Sequence, residues 1–125
     1  IAFKAFVSGQ EQVRVVFGSA GAFPSVVNAN TLAVGDGFTI IDSSLSGYRG
    51  LGKFITNVGD VNHDGRDDLM VVEQFTGKAF VIFGDPSFSS TTTFDVATLN
   101  GSNGFTITHS SYVYINQVSY LGDIN

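Results

Sequence analysis

Short apolar runs, each closed by a turn rich in glycine or asparagine, set the rhythm of this chain. Val13 to Phe17, Leu69 to Val72 and Ala79 to Phe83 are nearly unbroken, as expected of strands covered on both faces. Phe38 to Ile41, Lys53 to Val58, Phe105 to Thr108 and Val113 to Tyr120 read as further strands, and Ile1 to Val7 alternates like another. The turns fall at Gly35-Asp36-Gly37, Thr76-Gly77, Asn100-Gly101 and Asn103-Gly104. Ser25 to Ala33 and Thr91 to Leu99 each fit a strand-like piece or a short helical turn. No stretch sustains a 3.6-residue period, so the pattern predicts an all-β fold.

The pattern also repeats. Val15-Val16-Phe17-Gly18 returns as Val81-Ile82-Phe83-Gly84. Gly37-Phe38-Thr39-Ile40 returns as Gly104-Phe105-Thr106-Ile107, and Gly59-Asp60-Val61-Asn62 as Gly122-Asp123-Ile124-Asn125. The chain holds about two such periods. Three blocks recurring in one order at nearly one spacing mark a structural repeat. Within the second copy, Lys53–Val58, Leu69–Val72, Ala79–Phe83 and Phe105–Thr108 are expected to form one antiparallel sheet in that order. Sheets apolar on both faces need cover on both sides. Radial stacking of like sheets supplies it, so the expectation is antiparallel four-stranded blades of a β-propeller. A two-sheet sandwich is the alternative.

Two blades cannot close a ring, which takes roughly four to eight. The chain therefore reads as a piece of a longer polypeptide, its ends covered by other propeller blades of the same or neighbouring chains. Left bare, the Phe-rich faces and open edges would aggregate or assemble.

Charge narrows the function. The net is −5 and no basic patch occurs, which argues against nucleic acid. No apolar run is long enough for a membrane span. Cysteine is absent, so a secreted protein of this sequence would rely on a metal rather than disulfides.

Four of the eleven acidic residues, Asp60, Asp64, Asp67 and Asp68, crowd into nine positions. Such crowding costs repulsion unless a cation sits among them. Asp60-Val61-Asn62-His63-Asp64-Gly65-Arg66-Asp67-Asp68 places oxygen side chains at loop positions 1, 3, 5 and 9, with glycine at 6 where the chain turns. Calcium takes six to eight hard oxygens, and a tight loop with alternating side chains delivers them. The expected ligands are the side chains of Asp60, Asn62, Asp64 and Asp68 with the Arg66 carbonyl, while His63 and Asp67 point outward. An EF-hand would need a glutamate at position 12, where Val71 stands inside a strand. A metal-free Asx-rich turn is the plain alternative.

The pairs Phe17-Gly18 and Phe83-Gly84 with the run Gly59 to Leu69 resemble FG-GAP repeats, which build the seven-bladed propellers of integrin α-subunits and many bacterial surface proteins. The resemblance implies a partial repeat over residues 1–58, a second over 59–121 with its calcium loop at 60–68, and the start of a third at 122–125. Asp123 and Asn125 would then open a second, partial metal loop. In the family this loop joins the first two strands of a blade, as it does here. The Gly-Ala-Pro signature of the family is replaced by Val72-Glu73-Gln74.

Other candidates have plainer readings. Ser43-Ser44 and Ser110-Ser111 read as turn serines, since no Gly-x-Ser-x-Gly elbow occurs. His109 reads as a strand-end surface residue. Gly18-Ser19-Ala20-Gly21 lacks the lysine and helix of a phosphate loop. Asn100-Gly101-Ser102 is a glycosylation triplet, and Tyr112, Tyr114 and Tyr120 read as packing between blades. The expectation is thus a non-enzymatic, calcium-stabilised module of an extracellular or surface protein, acting in adhesion or surface assembly on a protein or glycan ligand. The alternatives are a carbohydrate-binding propeller and a non-catalytic propeller attached to a secreted enzyme.

Overall fold

β-Branched and aromatic side chains are frequent in the apolar runs, and these runs are extended strands. The computed structural model describes residues 1–44, 47–109, 115–119 and 121–122. Eight strands run in chain order: β1 (Ala2–Val7), β2 (Gln10–Val16), β3 (Gly37–Ile41), β4 (Leu51–Gly59), β5 (Asp68–Glu73), β6 (Lys78–Ile82), β7 (Thr93–Asp95) and β8 (Gly104–Thr108). Short 3₁₀ turns at Ala29–Thr31, Pro86–Ser90 and Val96–Thr98 join them. Among the described residues there is no α-helix, and no helix is long and apolar enough to cross a membrane.

Two four-stranded sheets result. The second has the order β4-β5-β6-β8, antiparallel throughout, which is the sheet expected from sequence. The first has the order β1-β2-β3-β7. Its last strand is unexpected: β7 lies in the second repeat, yet it crosses to pair in parallel with β3, Thr39 opposite Thr93 and Ile41 opposite Asp95. Thr91 to Leu99 therefore holds both structures that its sequence allowed, a three-residue strand and then a 3₁₀ turn capped by Asp95. Ser25 to Ala33 holds the matching 3₁₀ turn, capped by Asn28. Of Val113 to Tyr120, Ile115–Ser119 form no strand, and the other residues lie outside those described.

The sheets pack face to face and close no ring among the described residues. Val13, Phe38 and Ile40 of the first sheet meet Leu51, Val71, Phe80 and Ile82 of the second, with Val96 beside them. Each such burial contributes about 1.5–3 kcal/mol. Phe88 stacks on Phe38 with centroids 4.5 Å apart and meets Phe94 edge-on at 5.5 Å, so the segment after β6 is pinned to the first sheet. The strand β4 approaches the first sheet closely at Gly52, where a Cβ would lie 2.7 Å from Val13 Cγ2.

The repeat is visible in three dimensions. The N–H of Phe17 donates to the Asp36 carbonyl (2.9 Å) and that of Phe83 to the Asn103 carbonyl (3.1 Å). Phe17 meets Phe38 at 5.7 Å as Phe83 meets Phe105 at 5.9 Å. Asn28 and Asp95, one repeat apart, cap matching turns by accepting the N–H two residues on. One side chain has no counterpart. Glu11, which lies before the apolar run that the sequence marks as this strand, is buried between the sheets. Its Oε2 accepts the N–H groups of Arg49 (2.8 Å), Gly50 (2.5 Å) and Leu51 (3.1 Å), while Oε1 pairs with Lys4.

Candidate functional site

The acidic segment is the connection between β4 and β5, whose ends are tied by the pairing of Gly59 with Asp68. The loop turns through two left-handed residues, His63 (φ 62°) and Gly65 (φ 87°). Glycine adopts this conformation freely, and histidine is among the non-glycine residues enriched there.

Three of the expected ligands are drawn together inside the loop. The Asp64 N–H donates to Asp60 Oδ1 (2.9 Å) and to Asn62 Oδ1 (3.1 Å), so two oxygens converge on one donor. Gly65 N–H donates to Asp60 Oδ2 (2.8 Å), and Asn62 Nδ2 donates to Asp64 Oδ2 (2.9 Å). Asp64 Oδ1 accepts the Arg66 N–H at 2.9 Å, with the Arg66 guanidinium 3.9 Å away. Desolvation raises the pKa of Asp60. The backbone N–H groups of Gly65, Asp64 and His63 outweigh it and hold the carboxyl below the ordinary aspartate range.

Asp68 is placed differently. It is 2% exposed, and both its oxygens accept backbone N–H groups, Oδ2 from Val61 (2.8 Å) and Oδ1 from Gly84 (2.9 Å). It therefore ties the loop to the strand pair beneath. His63 and Asp67 are exposed, as are Asn62 and Asp64, and Asp67 Oδ2 accepts from Asn57 Nδ2 at 2.7 Å. Asp123 and Asn125 lie outside the described residues.

Gly84 is the residue whose role the sequence left unread. A Cβ there would lie 2.6 Å from the Asp67 carbonyl oxygen and 3.0 Å from Arg66 Cβ. The loop rests directly on this glycine, which supports it with its N–H and with the space it leaves. The recurrence of Phe-Gly in both repeats was the available signal. Gly18, its counterpart, has nothing within 4 Å.

The donor set suits a hard cation. Asp60, Asn62 and Asp64 present oxygen, and each hydrogen-bonded carboxylate oxygen retains a further lone pair. One of the three gathered groups is an amide. Among the described residues no three His, Cys, Asp or Glu side chains converge as a metal site.

A second group of ionisable side chains lies between the sheets. Glu11, Asp42, Arg49 and Glu73 line one cavity. Glu73 is 1% exposed and accepts the Thr76 hydroxyl; burial pushes its pKa up. No protein-family profile matches the chain, and neither a curated protein nor a solved structure does.

Proposed function

We propose that this chain is a calcium-stabilised, non-catalytic repeat module of an extracellular or surface protein, related to FG-GAP repeats and built to assemble with like sheets as blades of a propeller. The observation that carries the reading is the gathering of Asp60, Asn62 and Asp64 around one turn with glycine at its sixth position. The matched halves of the chain support the repeat, and the two faces of the second sheet support stacking. Val71, Phe80 and Ile82 are buried on one face, and Val72, Ala79 and Val81 on the other. A module of this kind acts by presenting a rigid surface, which fits adhesion or surface assembly.

Bound calcium would take oxygens of Asp60, Asn62 and Asp64 and the Arg66 carbonyl, and would neutralise the carboxylates. Asp68 either adds an oxygen or braces the loop from below. Calcium-binding modules of extracellular proteins have Kd values of about 10⁻⁴–10⁻³ M. At the tighter limit, about 10 mM calcium stabilises the fold by about 2.7 kcal/mol, or roughly 10 °C in Tm for a domain of this size.

The test is thermal melting in chelator and in calcium, on the unaltered chain and on Asp64→Ala and Asp67→Ala. The unaltered chain and Asp67→Ala should gain stability with calcium, and Asp64→Ala should not. Identical melting curves with and without calcium would exclude the metal and leave an Asx-rich turn.

A further inference from the structure

The two repeats differ most at their outer strands. Gly37 to Ile40 of β3 are buried, whereas Phe105 to Thr108 of β8 are exposed, Ile107 by 47%. The strands are counterparts of equal length, and glycine opens both against a carbonyl of the neighbouring strand. A Cβ at Gly37 would meet the Val15 oxygen at 2.0 Å, and one at Gly104 the Val81 oxygen at 2.2 Å. Phe38 and Ile40 pack on the second sheet, and the two strands differ at their edges as well. β7 covers the outer edge of β3, with the Thr39 N–H donating to the Thr92 carbonyl (3.0 Å). Among the described residues, the same edge of β8 pairs with nothing.

The chain also holds a second β7. Shifted back by one repeat, as Gly104 shifts to Gly37, Thr93–Asp95 and its capped turn fall on Val26–Asn28 and the turn Ala29–Thr31. Asn28 caps that turn as Asp95 caps its own. Yet Val26–Asn28 joins no sheet, and Val26 is 77% exposed. Beside it, Ile1, Phe3, Phe23 and Val27 line an open apolar groove. Among the described residues, the chain thus carries a strand edge without its three-residue partner and, on its other repeat, a segment of the type that fills such an edge.

We propose that the outer edge of β8 accepts the Val26–Asn28 segment of a second copy of this chain, in parallel, with Thr106 opposite Val26, Ile107 opposite Val27 and Thr108 opposite Asn28. The register is that of β3 with β7, moved by one repeat. It places the Thr106 N–H outward, against the Ser25 carbonyl of the second copy. Main-chain bonds along an exposed edge are an established mode of association. Donor and acceptor lie on different repeats, so the contact is head-to-tail and propagates into a ring or an open chain. The inference rests on the repeat reading above and names the partner that it requires.

The experiment is sedimentation of the 125-residue chain in calcium and, separately, in chelator. Two variants each block one half of the contact. Thr106→Pro removes the outward N–H, at an edge position where proline takes no bond from β6. Val27→Asp charges the inserted segment. The unaltered chain should self-associate with rising concentration. Each variant alone should associate at least about fivefold more weakly, Thr106→Pro through the loss of one backbone hydrogen bond of about 1 kcal/mol and Val27→Asp through the charge it carries into an apolar contact. An equimolar mixture should recover a 1:1 complex, because each variant retains the half that the other lacks.

A monomeric unaltered chain at about 100 µM, well above the affinity such an edge needs, overturns the proposal. So does a mixture that fails to associate, or a variant that associates as the unaltered chain does. Should Thr106→Pro not fold, amide exchange of the unaltered chain decides. The Thr106 amide should exchange more slowly as concentration rises, and unchanged exchange refutes the pairing. A calcium-independent melting curve with intact self-association would remove the metal reading and leave this one standing.

Discussion

Replacing Glu11 by glutamine should loosen the junction of the two sheets at neutral pH and leave it nearly unchanged in acid. The carboxylate lies between the sheets and accepts three consecutive N–H groups, those of Arg49, Gly50 and Leu51, with Lys4 on its other oxygen. Hydrogen bonds to a charged acceptor contribute about 1.5–3 kcal/mol, and those to a neutral one about 0.5–1.5. Glutamine can keep the three contacts through its one oxygen but loses the charge behind them, a loss of about 1 kcal/mol for each. The pair with Lys4, whose side chain is 29% exposed, adds less than about 1 kcal/mol. The total is about 3 kcal/mol, or roughly 10 °C in Tm for a domain of this size. Burial raises the Glu11 pKa, but Lys4 and the N–H groups of Arg49 and Gly50 outweigh it, so the folded value lies below 4.5. A depressed carboxyl stabilises the fold above its unfolded pKa and loses that contribution as pH falls through the folded value. Urea unfolding of both proteins at pH 7 and at a series of lower pH values measures the effect. The gap should be widest at pH 7 and narrow as the pH falls through the folded value, where the unaltered side chain takes up its proton. A gap below about 0.5 kcal/mol at pH 7, or one that persists unchanged in acid, would refute the bridge.

Two other substitutions probe the same framework. Glu73 is buried, which raises its pKa, and nearby Asp42 adds to the rise. A carboxyl with a raised folded pKa stabilises below the unfolded value and loses this as pH rises through the folded one. Glu73→Gln should therefore match the parent at pH 4 and exceed it at pH 8 in urea midpoint, and the reverse order would refute the burial argument. Gly84→Ala should cost about 1–3 kcal/mol, because its Cβ would meet the Asp67 carbonyl at 2.6 Å. Calcium titration should also show weaker binding, whereas an unchanged Tm and affinity would mean the loop does not rest on this residue.

Much of the fold was legible because its elements are local. The strand order β4-β5-β6-β8 follows from apolar runs separated by turns, and hairpin neighbours in sequence are neighbours in space. Bounds moved by one to three residues, most at β2, which begins at Gln10 rather than Val13, and β4 begins at Leu51 rather than Lys53. Gly50 and Gly52 look like breakers in sequence, but there the strand leans on Gln74 and Val13 and has no room for a side chain. The crossing of β7 was not legible. A short Thr-Phe-Asp piece carries little pattern of its own, and its partner strand lies in the other repeat. Glu11 escaped for a related reason: its donors are backbone groups 38 to 40 residues distant, and sequence does not show where an N–H will point.

At the candidate site, sequence supplied the cluster and its alternation, and the structure divides the labour within it. Asp60, Asn62 and Asp64 turn onto the loop's own N–H groups, the positions from which oxygen ligands can reach a common centre. Asp68 looked equivalent by spacing. It begins β5, however, and its side chain faces the Val61 and Gly84 N–H groups, a buried place where a lone carboxylate would otherwise go unmatched. This arrangement couples the loop to the sheet. A cation that tightened Asp60, Asn62 and Asp64 would draw on a backbone held at Val61 by Asp68, and Asp68 also holds Gly84 at the end of β6. Ordering of the loop is thereby passed to the β5–β6 pair at the centre of the second sheet, which is how one surface loop could stiffen a whole repeat.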